Sequence, residues 1–232
     1  MKRFIRFLKR LFGKEEKKEV VMKDETYWHS KHPQVMQMYH GRPLPNGNSF
    51  EIDVRRFIWV DDITMLFEVS ECSLKKEDPD DTALAVQRHV VKLLKYISDE
   101  NLGCPEYWLF PTETLEMRHG DCEDGAILIA SLLLNALPEH EHWRVRVACG
   151  IVQESPTAPE GGHAYVEYCR KTDGEWVILD WCYLEDSHIP VNQKPKSKDV
   201  PCYKNVWFSF NDKFAYSHVD FKMSGRLRNE SK

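Results

Sequence analysis

Cys122 stands in the stretch GDCEDGAILIASLLLNAL, with Asp121 before it, Glu123 and Asp124 after it, and an apolar run beyond. A cysteine at the start of a buried helix gains thiolate character from the helix dipole and the free backbone N–H groups of the first turn. The neighbouring carboxylates oppose that gain. For nucleophilic chemistry such a thiol needs an imidazole to take its proton and a carboxylate to orient the imidazole. The chain offers both in order. His163 follows Gly161-Gly162 at the head of one strand-like segment, and Asp180 interrupts the apolar run WVILDW in the next. A carboxylate in such a run needs a partner to offset its desolvation, and His163 can be that partner. If the two lie directly opposite in a hairpin, its centre falls between Lys171 and Thr172, with Arg170 to Gly174 as the tip. A tight Asp173-Gly174 turn would instead set Leu184 against His163.

The elements that must hold these residues are legible from periodicity. DPDDTALAVQRHVVKLLKYISDE predicts a helix, with Leu84, Val91, Leu94 and Ile97 inward. The segment after Cys122 is apolar nearly all round, as a central helix requires, and Pro138 ends it. WRVRVACGIV, GGHAYVEYCR, GEWVILDWCY and NVWFSFNDKFAY read as strands, the last a hairpin around Asn211-Asp212. SFEIDVRRFIWV alternates at Phe50, Ile52 and Val54 and suggests another strand. Helices followed by an antiparallel sheet make an α+β fold. Cys149, Cys169 and Cys182 fall at strand positions and read as core residues. His119, His140 and His142 read as solvent-facing, and Trp143, Trp176, Trp181 and Trp207 as sheet packing, with Trp181 a second candidate for a site wall.

YWLFPTETLEMRHGDCEDGA resembles the nucleophile segment of the bacterial transglutaminase-like cysteine proteinases. There a Trp-x-x-Pro-x-Glu segment, here Trp108, Pro111 and Glu113, leads into Gly-Asp-Cys-Glu-Asp, here residues 120–124. GGHAYVEY and GEWVILDW resemble the histidine and aspartate strands of that family, in its order, and the likeness spans roughly residues 80 to 183. It implies a papain-like, transglutaminase-like core with Cys122 as nucleophile, His163 as general base and Asp180 as orienter. It also implies calcium held by Asp121, Glu123 and Asp124. Three carboxylates beside a thiol suit a hard cation; equally, Glu123 and Asp124 complement a helix N-terminus that Asp121 caps. Trp108 and Trp181 are candidates for an oxyanion site or a substrate wall.

Residues 1–18 carry eight Lys/Arg and two Glu, so the rest of the chain has a net charge of −11. An acidic body of that kind excludes general nucleic-acid affinity. MKRFIRFLKRLFGKEEKK has a basic amphipathic pattern, either packing on its own acidic body or docking residues 2–12 on an anionic membrane or an acidic partner. Charges at Arg6, Lys9 and Arg10 interrupt any signal-peptide core, and no run is apolar enough to span a membrane, so a cytoplasmic address is expected. Seven cysteines without a CxxC pair or zinc-type spacing argue against a disulfide framework and against a structural zinc. The expected organisation is the basic segment 1–18, a loop-rich lead-in with strands over 19–79, a cysteine hydrolase domain over 80–216 and a polar tail over 217–232. The expected activity is hydrolysis of an amide or peptide bond through an acyl-thioester, on a protein or peptide substrate. Amine transfer or deamidation by the same triad is the alternative, as is a non-catalytic module docked by its basic segment.

Overall fold

The computed structural model describes residues 25–43, 49–102, 106–184 and 186–219. The basic segment 1–18 and most of the tail 217–232 lie outside them. Five α-helices are present among these residues: α1 (Glu25–Lys31), α2 (Ile63–Glu71), α3 (Pro79–Leu93), α4 (Pro111–Met117) and α5 (Cys122–Ala136). Two short ladders precede the main sheet. Strands β1 (Met38–Pro43) and β2 (Ser49–Asp53) pair antiparallel, and β3 (Lys95–Tyr96) pairs parallel with β4 (His119–Gly120). The main sheet is antiparallel, made of β5 (Val145–Val152), β6 (Gly161–Cys169), β7 (Trp176–Leu179), β8 (Tyr203–Phe210) and β9 (Ala215–Ser217), in the order β7-β6-β5-β8-β9. None of the described helices is long and apolar enough to cross a membrane.

The α+β class and the central helix are as the sequence predicts. From Ala126 to Leu134 every residue of α5 is buried, because a helix with no polar face can only sit inside. It packs on β5 and β6, with α2, α3 and α4 around it. The predicted α3 begins at Pro79, capped by the Asp78 carboxylate, and stops at Leu94, short of the predicted end. The next residues turn into β3, whose Lys95 N–H donates to the Arg118 carbonyl. The Asn211-Asp212 hairpin forms, with the Asn211 carboxamide accepting the backbone N–H groups of Lys213 and Phe214.

Three expectations are corrected. The lead-in is more regular than its Pro, His and Gly content suggested, since α1, the β1–β2 ladder and α2 all lie in it. Tyr39, Phe57, Met65 and Val69 enter the same core as α5. The strand predicted over 50–60 ends at Asp53, whose carboxylate accepts the Arg55 N–H and starts a 3-10 turn, Val54–Phe57. His142 is buried against the Leu137 carbonyl, whereas His140 is exposed as expected.

The β6–β7 hairpin takes neither of the two predicted registers. Val166 pairs with Leu179 and Cys169 with Trp176, a register that, extended, sets His163 against Cys182. Its loop is the longer kind: Arg170 N–H donates to the Glu175 carbonyl and Gly174 N–H to the Arg170 carbonyl. Asp80, at the start of α3, fixes that loop by accepting from Lys171 N–H (2.7 Å), Thr172 N–H and the Thr172 and Tyr168 hydroxyls.

Candidate active site

The segment leading to Cys122 is built from local capping chemistry. Pro111 opens α4, where its missing N–H costs nothing, and the Glu113 carboxylate reaches back to the Phe110 N–H at 2.7 Å. Arg118 closes α4 in the left-handed region (φ 55°) and turns the chain into β4. Two glycines then permit close approaches. A Cβ on Gly120 would lie 2.5 Å from Asp124 Oδ2, and one on Gly125 would lie 2.2 Å from the Trp181 indole nitrogen. Asp124 ties the turn together: its Oδ2 accepts the Asp121 N–H (3.1 Å) and its Oδ1 the Leu109 N–H (2.7 Å).

Cys122, half-buried at the first position of α5, opens into a cleft of about 510 Å³ shared with His163, Trp108, Trp207 and Tyr96. His163 and Asp180 meet across the hairpin, with Nε2 2.6 Å from Asp180 Oδ2. Directly opposed strand positions are not needed. Asp180 lies just past the end of β7, and the two side chains are diagonal neighbours within reach of a long side chain. Asp180 also accepts the Cys182 and Tyr183 N–H groups on Oδ1 (3.0 and 3.3 Å) and the Tyr203 hydroxyl on Oδ2 (2.6 Å). Burial works to raise the Asp180 pKa, but His163, the Cys182 N–H and Tyr203 outweigh it and hold the carboxyl below its ordinary range.

The thiol lies in the opposite situation. Burial, and then the Glu123 and Asp121 carboxylates, push Cys122 well above the ordinary cysteine range; the Ala164 backbone N–H works the other way. The helix start alone therefore does not make a resting thiolate. Its hydrogen bond runs from Sγ to Glu123 Oε2 at 3.2 Å. Asp99, Glu100, Glu106, Asp121 and Glu123 line the cleft, and no Lys or Arg lines it among the described residues. Burial raises Asp121, Glu123 and Asp124, the last to about 8. Asp121 Oδ1 and Glu123 Oε1 are buried without a hydrogen-bond donor. Asp121, Cys122 and Glu123 each offer a ligand atom, all within 4.8 Å of one another.

The remaining predicted residues divide. Both Asp124 oxygens accept backbone N–H groups, which ties it into the helix cap. Trp108 lines the cleft, and its indole N–H donates to Glu106 Oε1 (2.6 Å). Trp181 donates to the Cys122 carbonyl (3.3 Å) and packs over Gly125, holding α5 to the hairpin from outside the cleft. Trp207 is 41% exposed and lines the cleft instead of packing the sheet. Cys149 also lines it, buried. His119 sits in β4, bonded to the Met117 carbonyl and away from the cleft. Sequence reasoning missed Tyr203, in a Pro- and Lys-rich stretch with no pattern to mark it. It also missed Asp99 and Glu106, whose local run SDENLGCPEYW is acidic but gives no sign of folding toward Cys122.

Residues 69–181, which contain Cys122, His163 and Asp180, match the family model of the transglutaminase-like superfamily. No curated protein matches the chain. Similar solved structures include Legionella pneumophila LapG, 22% identical with a TM-score of 0.49 over 71% of this chain and 81% of that one. Calcium-bound LapG is 20% identical, with a TM-score of 0.48 over 71% and 84%. A candidate cysteine protease from Cytophaga hutchinsonii is 19% identical, with a TM-score of 0.40 over 76% and 56%. Residues 69–181 of this chain are a transglutaminase-like superfamily domain.

Proposed function

We propose that the protein is a cysteine hydrolase that cleaves an amide or peptide bond through an acyl-thioester on Cys122. The observation that carries this reading is the His163–Asp180 pair, 2.6 Å apart, with His163 lining the same cleft as Cys122. Because Nε2 faces the carboxylate, that nitrogen carries the hydrogen, and Nδ1 holds the lone pair available to the thiol. Cys122 Sγ attacks the carbonyl carbon as its proton passes to Nδ1. The imidazolium, steadied by Asp180, returns that proton to the leaving amine. Water, deprotonated by the same nitrogen, then releases the acid and restores the thiol. With the thiol raised by its neighbours, proton transfer accompanies attack in place of a standing ion pair. Backbone N–H groups left free at the start of α5 would receive the oxyanion.

Asp121 and Glu123, through their unpartnered oxygens, fit a hard divalent cation, with Asp99 and Glu106 lining the same cleft as further oxygen donors. Bound calcium would supply positive charge beside the thiol and draw its pKa down. The substrate is a protein or peptide chain lying in a cleft walled by Trp108 and Trp207. The test is incubation with a degenerate peptide library in calcium. Wild type should generate new amino termini, and Cys122→Ala and His163→Ala none. Equal yields from wild type and Cys122→Ala would contradict the reading.

A further inference from the structure

Outside the cleft, α2 and α3 bring together a second set of ligand-bearing side chains. Glu68 and Cys72 are four residues apart, so they share one side of α2 and its C-terminal cap. His89 reaches them from α3. His89 Nε2 lies 2.7 Å from Glu68 Oε1, and Cys72 Sγ lies 3.3 Å from the same oxygen. One ligand atom from each residue lies within 4.8 Å of the other two. His89 Nε2 is buried and, despite its nearness to Glu68, makes no hydrogen bond of acceptable geometry. Two tetrahedral ligands at zinc–ligand distances of 2.0–2.3 Å stand roughly 3.3–3.6 Å apart, so only small side-chain movements separate this cluster from a coordination shell.

We propose that Glu68, Cys72 and His89 form a three-ligand site for a zinc-type divalent cation, clamping α2 to α3. The donor set decides the class of ion. A thiolate and an imidazole favour zinc over calcium or magnesium, which take oxygen ligands, and the thiolate and carboxylate together balance its charge. Cys72 is exposed, which leaves the fourth position to water. Finger-type spacing is absent because the ligands are not held by one knuckle; helix packing assembles them. Both helices pack on α5, so the clamp would brace the scaffold behind the nucleophile helix, and it stands whether or not the cleft is a hydrolase.

The full chain, dialysed against Zn²⁺ alone and analysed for bound metal, tests this in wild type, Cys72→Ser and His89→Gln. Both variants should lose one equivalent. The Co²⁺-loaded protein should show a thiolate-to-cobalt charge-transfer band that disappears in Cys72→Ser and survives in Cys122→Ala and Cys182→Ser. Unchanged stoichiometry in both Cys72→Ser and His89→Gln, or a band that survives Cys72→Ser, would overturn the proposal.

Discussion

Asp180 receives four hydrogen bonds on two oxygens, and that saturation lets a carboxylate stay ionised in a buried position. Tyr203 supplies one of the four from β8, a strand beyond the matched family segment. Tyr203→Phe should remove a charge-assisted bond worth roughly 1.5 kcal/mol, lowering kcat about tenfold with little change in KM. Steady-state kinetics on a cleaved peptide would check this, and an unchanged kcat would remove Tyr203 from the positioning of Asp180. Of the residues that meet at the cleft, the proposed triad of Cys122, His163 and Asp180 was legible because a cysteine at a helix start, a histidine after paired glycines and a carboxylate interrupting an apolar strand each leave a mark in sequence. Tyr203, Glu106 and Asp99 were not, since a long-range partner has no local signature.

At the scale of elements, the start of α5 depends on two close approaches. Gly125→Ala places a methyl group 2.2 Å from the Trp181 nitrogen, so the indole must leave the Cys122 carbonyl or the helix must shift. The expected cost is about 1–3 kcal/mol, read as a lower urea midpoint at unchanged slope. A stability equal to wild type would mean that Trp181 does not hold α5. In the middle of the same helix, Leu132→Ala should cost about 2–5 kcal/mol, since Leu132 is fully buried. The apolar pattern announced that burial directly. The hairpin register was less readable. Alternation fixes which face a strand residue takes but is blind to a shift of two. Asp80, 91 residues before Lys171, helps set the loop that decides it.

Over the whole molecule, charge is unevenly distributed, and the cleft gathers five carboxylates, Asp99, Glu100, Glu106, Asp121 and Glu123. Glu123 is held well above its ordinary range by burial, then by Asp121 and Asp124. Between its unfolded value near 4.3 and its raised folded value, the native state binds more protons than the unfolded chain, so stability falls as pH rises through that window. Asp124, at about 8, adds to the same slope. Thermal melts from pH 5 to 8 should therefore show a declining Tm that Glu123→Gln flattens. Calcium should raise Tm increasingly toward pH 8, where the carboxylates must otherwise ionise unpaired. A wild-type slope that Glu123→Gln leaves unaltered would contradict this account of the cluster. The lead-in shows what composition conceals at this scale. Pro, His and Gly made the lead-in over 19–79 look loop-rich, yet Tyr39 stacks on the cleft residue Trp108 at 5.0 Å between ring centres and donates to the Glu106 carbonyl.

The central claim is that Cys122 is a nucleophile served by His163 in an acidic cleft, and the alkylation rate of Cys122 against pH tests it most directly. In wild type without calcium the profile should rise above pH 8.5, the ordinary thiol value. Calcium should move it toward neutrality, and His163→Ala should slow the reaction at neutral pH. A profile centred at 8.5 that neither calcium nor His163→Ala alters would contradict the claim.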